Sequence, residues 1–139
     1  MTLYTLGILE KNSKILLLLR KNSPYFSGYY GLPGGKVELE ESPIHAIIRE
    51  MQEELGITIT QSGLQFTHCL TFKNEKGEKI VALVFKITAW HGELVNQEPD
   101  KCTELAWYAH DALPDNVIPR HRQIIEMIQQ NILYSENGW

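Results

Sequence analysis

The segment SPIHAIIREMQEEL at residues 42–55 constrains the fold more than any other part of the chain, because it carries a full set of helix signals. Ser42 suits the N-cap, Pro43 fits the first helical position, and Gly56 suits the left-handed position that follows a helix. The apolar residues recur at the spacing of one helical face, which predicts that this face is buried. They are Ile44, Ile47, Ile48, Met51 and Leu55.

Three glutamates, Glu50, Glu53 and Glu54, lie on the flank of this helix beside the apolar face, where the helix meets the rest of the protein. Glu50 and Glu54 are i, i+4 neighbours, and like charges at that spacing repel each other. The helix dipole also disfavours negative charge near the C-terminus. Arg49 supplies one positive charge for three carboxylates. A divalent cation would compensate the remainder, and a solvated acidic face is the alternative that the helix alone leaves open.

The pattern of the remaining chain predicts a mixed β-sheet covered by helices. The segment 21–35 is rich in glycine, proline and aromatic residues and is expected to be a loop or an irregular strand. Isoleucines at near-helical spacing predict a C-terminal helix over residues 117–133. Alternating, β-branched and aromatic residues predict strands, the first two of which form a hairpin. The predicted strands span residues 3–9, 14–20, 64–72, 79–90 and 104–109.

Composition and charge exclude several classes of protein. The 139 residues, of which 43% are apolar, have the size and composition of one globular domain. A net charge of −4 argues against binding to a nucleic-acid polymer or an anionic membrane surface, since both need basic patches. The longest aliphatic run, residues 15–19, is too short to span a membrane, and no signal-peptide pattern is evident. Cys69 and Cys102 form no CxxC pair, so reduced cysteines and a cytoplasmic location are expected.

The segment GLPGG at residues 31–35 lies just upstream of the acidic helix. Glycine tolerates positive φ angles and close approach, so a carbonyl or amide group of this segment can face a ligand. A simple turn is the alternative. The segment is not a Walker A loop, because no glycine lies five residues before Gly35 and Val37 stands where Ser or Thr is required.

The run GKVELEESPIHAIIREMQEELGI, residues 35–57, resembles the signature of the Nudix hydrolases, a family of MutT-like pyrophosphohydrolases. The hairpin, GLPGG, the later strands and the terminal helix also follow in the order of that family. Glu40 departs from a common pattern, because many members carry glycine there, although the signature does not require it. The nine fixed positions of the signature are matched without a gap by Gly35, Glu41, Arg49, Glu50, Met51, Glu53, Glu54, Gly56 and Ile57.

The resemblance implies an α/β fold of the α+β type, in which a mixed β-sheet is sandwiched between α-helices. It implies one Nudix domain over residues 1–139, with the signature forming a loop, a helix and a second loop. It also implies that water attacks phosphorus in a nucleoside diphosphate linked to another group. Mg²⁺ is the implied cofactor, with Mn²⁺ as a substitute, because divalent ions neutralise phosphate oxygens and lower the pKa of bound water.

The resemblance also assigns roles to the acidic residues of the signature. Glu53 and Glu54 are expected to bind the metal, together with the backbone carbonyl of Gly35. Glu50 is expected to bind metal or to act as the general base, since the family varies in which carboxylate takes the proton.

The neighbours of these acids are expected to hold them in place. Arg49, which with Glu50 and Glu53 completes the catalytic candidates, is expected to orient the acids together with Glu41 through a charge-assisted hydrogen bond. Gly34 and Gly56 are expected to support the site structurally.

Four residues outside the signature are candidates for substrate binding, and each has an alternative role in the structure or at the surface. Arg20 is placed to contact phosphate or to end a strand with a charge. Tyr29, in an aromatic stretch, is a candidate for stacking on a nucleobase or for packing on the sheet. Glu98 is a candidate metal ligand or base, or part of a solvated loop. Asn116 is a candidate base contact, although a helix N-cap is the favoured interpretation.

The substrate class follows only by elimination. The proline and tyrosine markers of ADP-ribose and dinucleoside polyphosphate enzymes are absent after the signature, which favours a nucleoside triphosphate or a modified nucleotide cleaved to a monophosphate and pyrophosphate. The five histidines, including His121, show no metal-ligand spacing and are treated as structural or solvent-facing. The expected partner is a small nucleotide, and a homodimer is compatible with the sequence. A non-catalytic nucleotide-binding module is the alternative function.

Overall fold

Eight strands and two α-helices make up the computed structural model, which describes residues 1–139. In chain order they are β1 (Thr2–Lys11), β2 (Lys14–Arg20), β3 (Tyr30–Gly31), β4 (Gly34–Lys36), α1 (Pro43–Leu55), β5 (Leu64–Lys73), β6 (Lys79–Ile87), β7 (Cys102–Ala109), α2 (Pro119–Gln129) and β8 (Tyr134–Asn137). No helix is long and apolar enough to cross a membrane. Both cysteines are free, as the sequence predicts.

The strands form a mixed sheet around β1. Its order is β3-β2-β1-β6-β5-β8, with β4 added on β1 and β7 on β2. The β1–β2 pair is antiparallel and confirms the predicted hairpin, whose turn residues Asn12 and Ser13 both have positive φ. That conformation is the one that suits two-residue hairpin turns. Over most of its length, from Thr2 opposite Ile80 to Leu9 opposite Ile87, β1 runs parallel to β6, and only its last two residues pair with β2.

The two faces of the sheet carry separate apolar cores, one under each helix. Alternate residues of a strand point to opposite faces. In β2, Leu16 and Leu18 join the core that contains Ile47 of α1, whereas Leu17 joins the core that contains Ile124 of α2. A strand buried on both faces is continuously apolar, which explains the run of leucines in β2. The sheet therefore lies between the helices, as predicted.

Helix α1 has the ends that its sequence predicts. The Ser42 hydroxyl accepts a hydrogen bond from the backbone N–H of His45 at 3.1 Å. Gly56 has a φ of 70°, and its N–H donates to the carbonyl of Gln52. Ile47, Met51 and Leu55 are fully buried, so the apolar face of the helix packs on the sheet.

The segment 21–35, for which the sequence predicts a loop or an irregular strand, contains one short strand and the start of a second. Tyr30–Gly31 pairs with β2, and Gly34–Lys36 pairs antiparallel with β1. Glycine and proline are poor strand formers, so local propensity favoured a loop, and pairing with buried neighbours overrides it.

The C-terminal helix is shorter than predicted. It ends at Gln129 instead of continuing to residue 133, and Asn131, with a φ of 59°, turns the chain away. Residues 134–137 then form β8, which runs parallel to β5. The buried ring of His68 bonds to the Ile132 carbonyl and to the Ser135 hydroxyl, so tertiary contacts outweigh the isoleucine periodicity there.

Glu40 has a φ of 80°, in the left-handed region that favours glycine. This conformation costs an L-residue about 1–2 kcal/mol, which glycine would not lose. Glycine also has more conformational entropy in the unfolded state, and this offsets part of the stabilisation. We expect Glu40→Gly to raise the free energy of unfolding by about 0.5–1 kcal/mol in urea denaturation. The exposed neighbour Leu39 lacks a positive φ, so Leu39→Gly is the matched control and should lower stability. A loss of stability in Glu40→Gly would contradict the interpretation that the backbone of Glu40 is strained.

Candidate functional site

The carboxylate of Glu54 lies between α1 and β4. Its Oε2 accepts a hydrogen bond from the backbone N–H of Gly34 at 2.9 Å. Gly34 has a φ of 142°, and a Cβ added there would lie 2.1 Å from the carbonyl oxygen of Thr5 in β1. Only glycine therefore lets β4 pair with β1 while its amide faces the acidic helix.

Glu50 lies one turn earlier on α1, against the next residue of β4. A Cβ added to Gly35 would come within 2.4 Å of Glu50 Oε1, so the missing side chain leaves the space that the carboxylate fills. The backbone of Gly35 and the carboxylate of Glu50 thus lie side by side, as the sequence grouping predicts.

Arg49 is the centre of an ion-pair network on the outer flank of α1. Its guanidinium makes two hydrogen bonds to Glu41, from Nη2 at 2.6 Å and from Nε at 3.0 Å. Its Nη1 donates to Glu50 Oε1 at 3.0 Å and to Glu53 Oε2 at 3.2 Å. The bonds from Arg49 lower the pKa of Glu41 to about 2. Glu53 is the outermost of the three helix acids, with half of its side chain exposed.

Glu98 approaches the same acids from the loop between β6 and β7. The backbone N–H of Gln97 donates to the carbonyl of Glu54 at 3.1 Å, and that of Val95 donates to the carbonyl of Leu55 at 3.0 Å. These bonds satisfy carbonyl groups at the C-terminus of α1 and fix the loop there. The loop packs so closely that a Cβ on Gly56 would lie 2.5 Å from the Gln97 side chain, which supports a structural role for this glycine.

The acids share a negative charge that the protein does not neutralise. Burial raises the pKa of Glu54 well above its usual value, and the charges of Glu50 and Glu98 raise it further. Burial also raises the pKa of Glu50, although Arg49 opposes that effect. Buried carboxylates with raised pKa values cluster at functional sites, because a fold rarely keeps them without a use.

The donor atoms fit a hard divalent cation such as Mg²⁺ or Mn²⁺. All of the candidate ligands are oxygens, namely the carboxylates of Glu50, Glu53 and Glu54 and the carbonyl of Gly35, and no histidine or cysteine is among them. No three acidic, histidine or cysteine side chains converge closely enough to form a closed metal cage. Arg49 holds one oxygen each of Glu50 and Glu53, so the site is an acidic surface with a surplus of charge.

Two clefts that share one arginine lie beside the acids. The first, of about 260 Å³, is lined by Glu54 and Glu98 together with Lys21 and Lys101, and Lys101 forms an ion pair with Glu98 at 3.7 Å. The second, of about 400 Å³, is lined mainly by apolar and aromatic side chains. Arg20 lines both clefts. The aromatic residues of the second cleft include Tyr4, Tyr25, Phe26 and Phe72.

Two of the four candidate substrate contacts lie outside both clefts. Tyr29 packs edge-on against Phe26, with ring centroids 5.4 Å apart. Asn116 donates from Nδ2 to the carbonyl of Gly28 at 2.9 Å. Its interpretation as a helix N-cap is wrong, because Ile118 occupies the N-cap of α2 and caps it without a side-chain bond.

Sequence reasoning missed two residues of the second cleft. His121 and Arg120, at the start of α2, both line it. Each reaches the cleft only because α2 packs across the sheet, so no local spacing signals its position. The sequence predicts a structural or solvent-facing role for His121, and the residue lines the second cleft.

Comparison with known proteins agrees with the signature. The NUDIX domain model matches residues 2–128. The chain is 34% identical over 120 residues to an ADP-ribose pyrophosphatase of Methanocaldococcus jannaschii, covering 86% of this chain and 68% of the relative. It is 33% identical over 91 residues to an 8-oxo-dGTP diphosphatase of Proteus vulgaris, covering 66% and 79%.

A solved structure supports the same relationship. The fold superposes on the crystal structure of a MutT NUDIX hydrolase from Burkholderia pseudomallei with a TM-score of 0.80, at 33% identity, over 90% of this chain and 95% of that chain. The signature, the sandwich and the placement of its acidic helix agree, so the chain belongs to the Nudix hydrolase family.

Proposed function

We propose that this protein hydrolyses a phosphoanhydride bond in a nucleoside diphosphate-linked substrate with the help of Mg²⁺. The preferred substrate is a nucleoside triphosphate, either unmodified or modified, and the products are a nucleoside monophosphate and pyrophosphate. The observation that carries this proposal is the position of the Glu50 and Glu54 carboxyl groups, which lie together against the backbone of Gly34 and Gly35 where burial raises the pKa of both. Mn²⁺ is expected to substitute for Mg²⁺.

The chemistry of the substrate explains why an acidic site suits it. A diphosphate is shielded from nucleophiles by its own negative charge. A divalent ion bound to the acids neutralises phosphate oxygens and lowers the pKa of a coordinated water. The protein's part is to hold the cation, orient the water and position the phosphates.

Each acid has a distinct proposed part. Glu53 and Glu54, with the carbonyl of Gly35, hold the cation. Glu50 shares that task or accepts the proton of the attacking water, a role for which its raised pKa is favourable. Arg49 orients Glu50 and Glu53 by its bonds to both, and its two bonds to Glu41 fix the guanidinium in place.

The two clefts suggest how the substrate lies. The first contains Glu54, Glu98 and the cationic side chains of Lys21 and Lys101, so it suits phosphate groups bridged by a cation. The second has aromatic walls and suits a planar base. Arg20, which lines both, suits the phosphates at their junction.

We further propose that residues 1–139 act as one domain on a small nucleotide in the cytoplasm. Neither a nucleic-acid polymer nor a membrane is an expected partner, in keeping with the net charge of −4. The names of the relatives extend the range of substrates to be tested, since one acts on ADP-ribose and another on 8-oxo-dGTP.

A panel of nucleotides tests the proposed reaction. We expect at least one of the common and 8-oxo-modified nucleoside triphosphates, ADP-ribose and dinucleoside polyphosphates to be cleaved in Mg²⁺, with a nucleoside monophosphate among the products by chromatography. Glu53→Gln or Glu54→Gln should lower turnover by more than about 100-fold, since even changes outside the ligand shell of a metal cost 10- to 100-fold. Glu126→Gln, at an exposed site on α2, is the control. Calorimetric binding of a nucleotide without any product would favour the non-catalytic module.

Although Glu54→Gln is expected to lower turnover, it should raise the stability of the metal-free protein. Its pKa is raised in the folded state, so folding loses stability as the pH rises from the unfolded pKa through the folded one. Glu54→Gln removes this loss, and without metal it should melt at a higher temperature than the wild type at pH 7. The difference should vanish below about pH 4, where both side chains are neutral.

Added Mg²⁺ should reverse this order. It should raise the melting temperature of the wild type and of Glu126→Gln, and it should leave Glu54→Gln almost unchanged. An equal Mg²⁺ response in wild type and Glu54→Gln would contradict the assigned metal site.

A further inference from the structure

His121 is held in one tautomer by the backbone. The N–H of Leu32 donates to His121 Nδ1 at 2.9 Å. A ring nitrogen that accepts a hydrogen bond carries no proton, so the proton of the neutral ring resides on Nε2. Burial, together with the charges of Arg20 and Arg120, lowers the pKa of His121 to about 3, which keeps the ring neutral.

The position of the ring is fixed as firmly as its tautomer. A Cβ added to Gly31 would lie 3.2 Å from His121 Nδ1, so the imidazole packs directly on the backbone of β3. The opposite ring nitrogen, Nε2, has no hydrogen-bond partner within the protein, and the ring lines the second cleft. His121 is therefore an oriented hydrogen-bond donor beside a cavity.

The neighbouring residue adds a second unpaired donor. The Arg120 guanidinium lies over the ring of Phe72 at 4.3 Å from the centroid, and its Nη2 bonds to Glu75 at 3.1 Å. Its Nε is buried and has no partner. Buried donors are nearly always satisfied, so an unpaired Nε in a residue that lines the cleft is an exception.

The division between the clefts indicates which part of a ligand carries that acceptor. Glu54, Glu98, Lys21 and Lys101 line the first cleft and not the second, whereas His121 lines only the second. A phosphate drawn to the acidic cation site therefore lies away from His121. The part of a nucleotide that fits among Tyr25, Phe26 and Phe72 is its base.

We propose that His121 donates a hydrogen bond through Nε2–H to a keto oxygen of the substrate's nucleobase and so favours a keto base over its amino counterpart. The proposal rests on the proposed function, because it takes a nucleotide as the ligand. An amino group at the same place would set donor against donor and leave the bond unmade. An unmade buried bond of this kind corresponds to about 10- to 100-fold in kcat/KM.

The test compares two pairs of triphosphates that differ in a keto and an amino group, inosine with adenosine and uridine with cytidine. We expect the wild type to prefer the keto member of at least one pair. In His121→Asn the amide oxygen can still accept from Leu32, but the donor at Nε2 is lost. The preference should fall by at least about 10-fold, with the rate on the amino member nearly unchanged. The exposed His110 provides the control, and His110→Asn should keep the preference.

A second variant guards against a purely structural effect. His121→Gln extends an amide N–H toward the place of Nε2 and loses the bond to Leu32, so it should keep more of the preference than His121→Asn. An equal loss on both members of each pair, or no change in either variant, would overturn the proposal. If the wild type hydrolyses no nucleotide of the full panel, which also includes 8-oxo-modified triphosphates, ADP-ribose and dinucleoside polyphosphates, the proposed function fails. In that case the preference for the keto over the amino nucleotide is measured as a ratio of Kd values by calorimetry in the wild type and both variants. A ratio that falls in His121→Asn supports the role of His121, and an unchanged ratio overturns it.

Discussion

The burial of the Glu54 carboxylate against the amide of Gly34 is the contact on which the rest of the site depends. It joins the acidic helix to β4, and β4 can lie there only because Gly34 adopts a φ of 142° close to the carbonyl of Thr5. The same pairing sets Gly35 beside Glu50. One backbone arrangement thus brings the carboxylates of Glu50 and Glu54 against the backbone of β4. The loop that carries Glu98 is then fixed by bonds to the last carbonyls of that helix.

The site contains carboxylates that its own positively charged side chains compensate only in part. Arg49 compensates the outer acids through its bonds to Glu41, Glu50 and Glu53, but it makes no bond to Glu54. Burial raises the pKa of Glu50 and of Glu54, and repulsion from the neighbouring carboxylates raises both further. Active sites often contain groups that lower the stability of the fold, and substitutions that remove these groups stabilise the protein while they abolish activity. A cation that binds the folded state relieves the same repulsion without loss of the acids.

The features of the protein that depend on residues close together in the sequence were predictable. The ends and the buried face of α1, the hairpin and the grouping of Gly35 with the glutamates follow from capping residues, periodicity and the signature. The parts that depend on packing between distant segments were not. The pairing of β4 overrides weak strand propensity, β8 depends on the buried ring of His68, and Asn116 bonds to a loop instead of capping a helix. His121 meets Leu32 across 89 residues of sequence, a distance that no local pattern spans.

The central claim, that the glutamates of α1 hold a divalent cation, is tested most directly by titrating the protein with Mn²⁺ and measuring free Mn²⁺ by electron paramagnetic resonance. The wild type is expected to remove Mn²⁺ from solution with saturable stoichiometry, and added Mg²⁺ is expected to displace it. Glu54→Gln should bind far more weakly, while Glu126→Gln should bind as the wild type does. Equal Mn²⁺ binding by the wild type and Glu54→Gln, or no saturable binding by the wild type, would contradict the account.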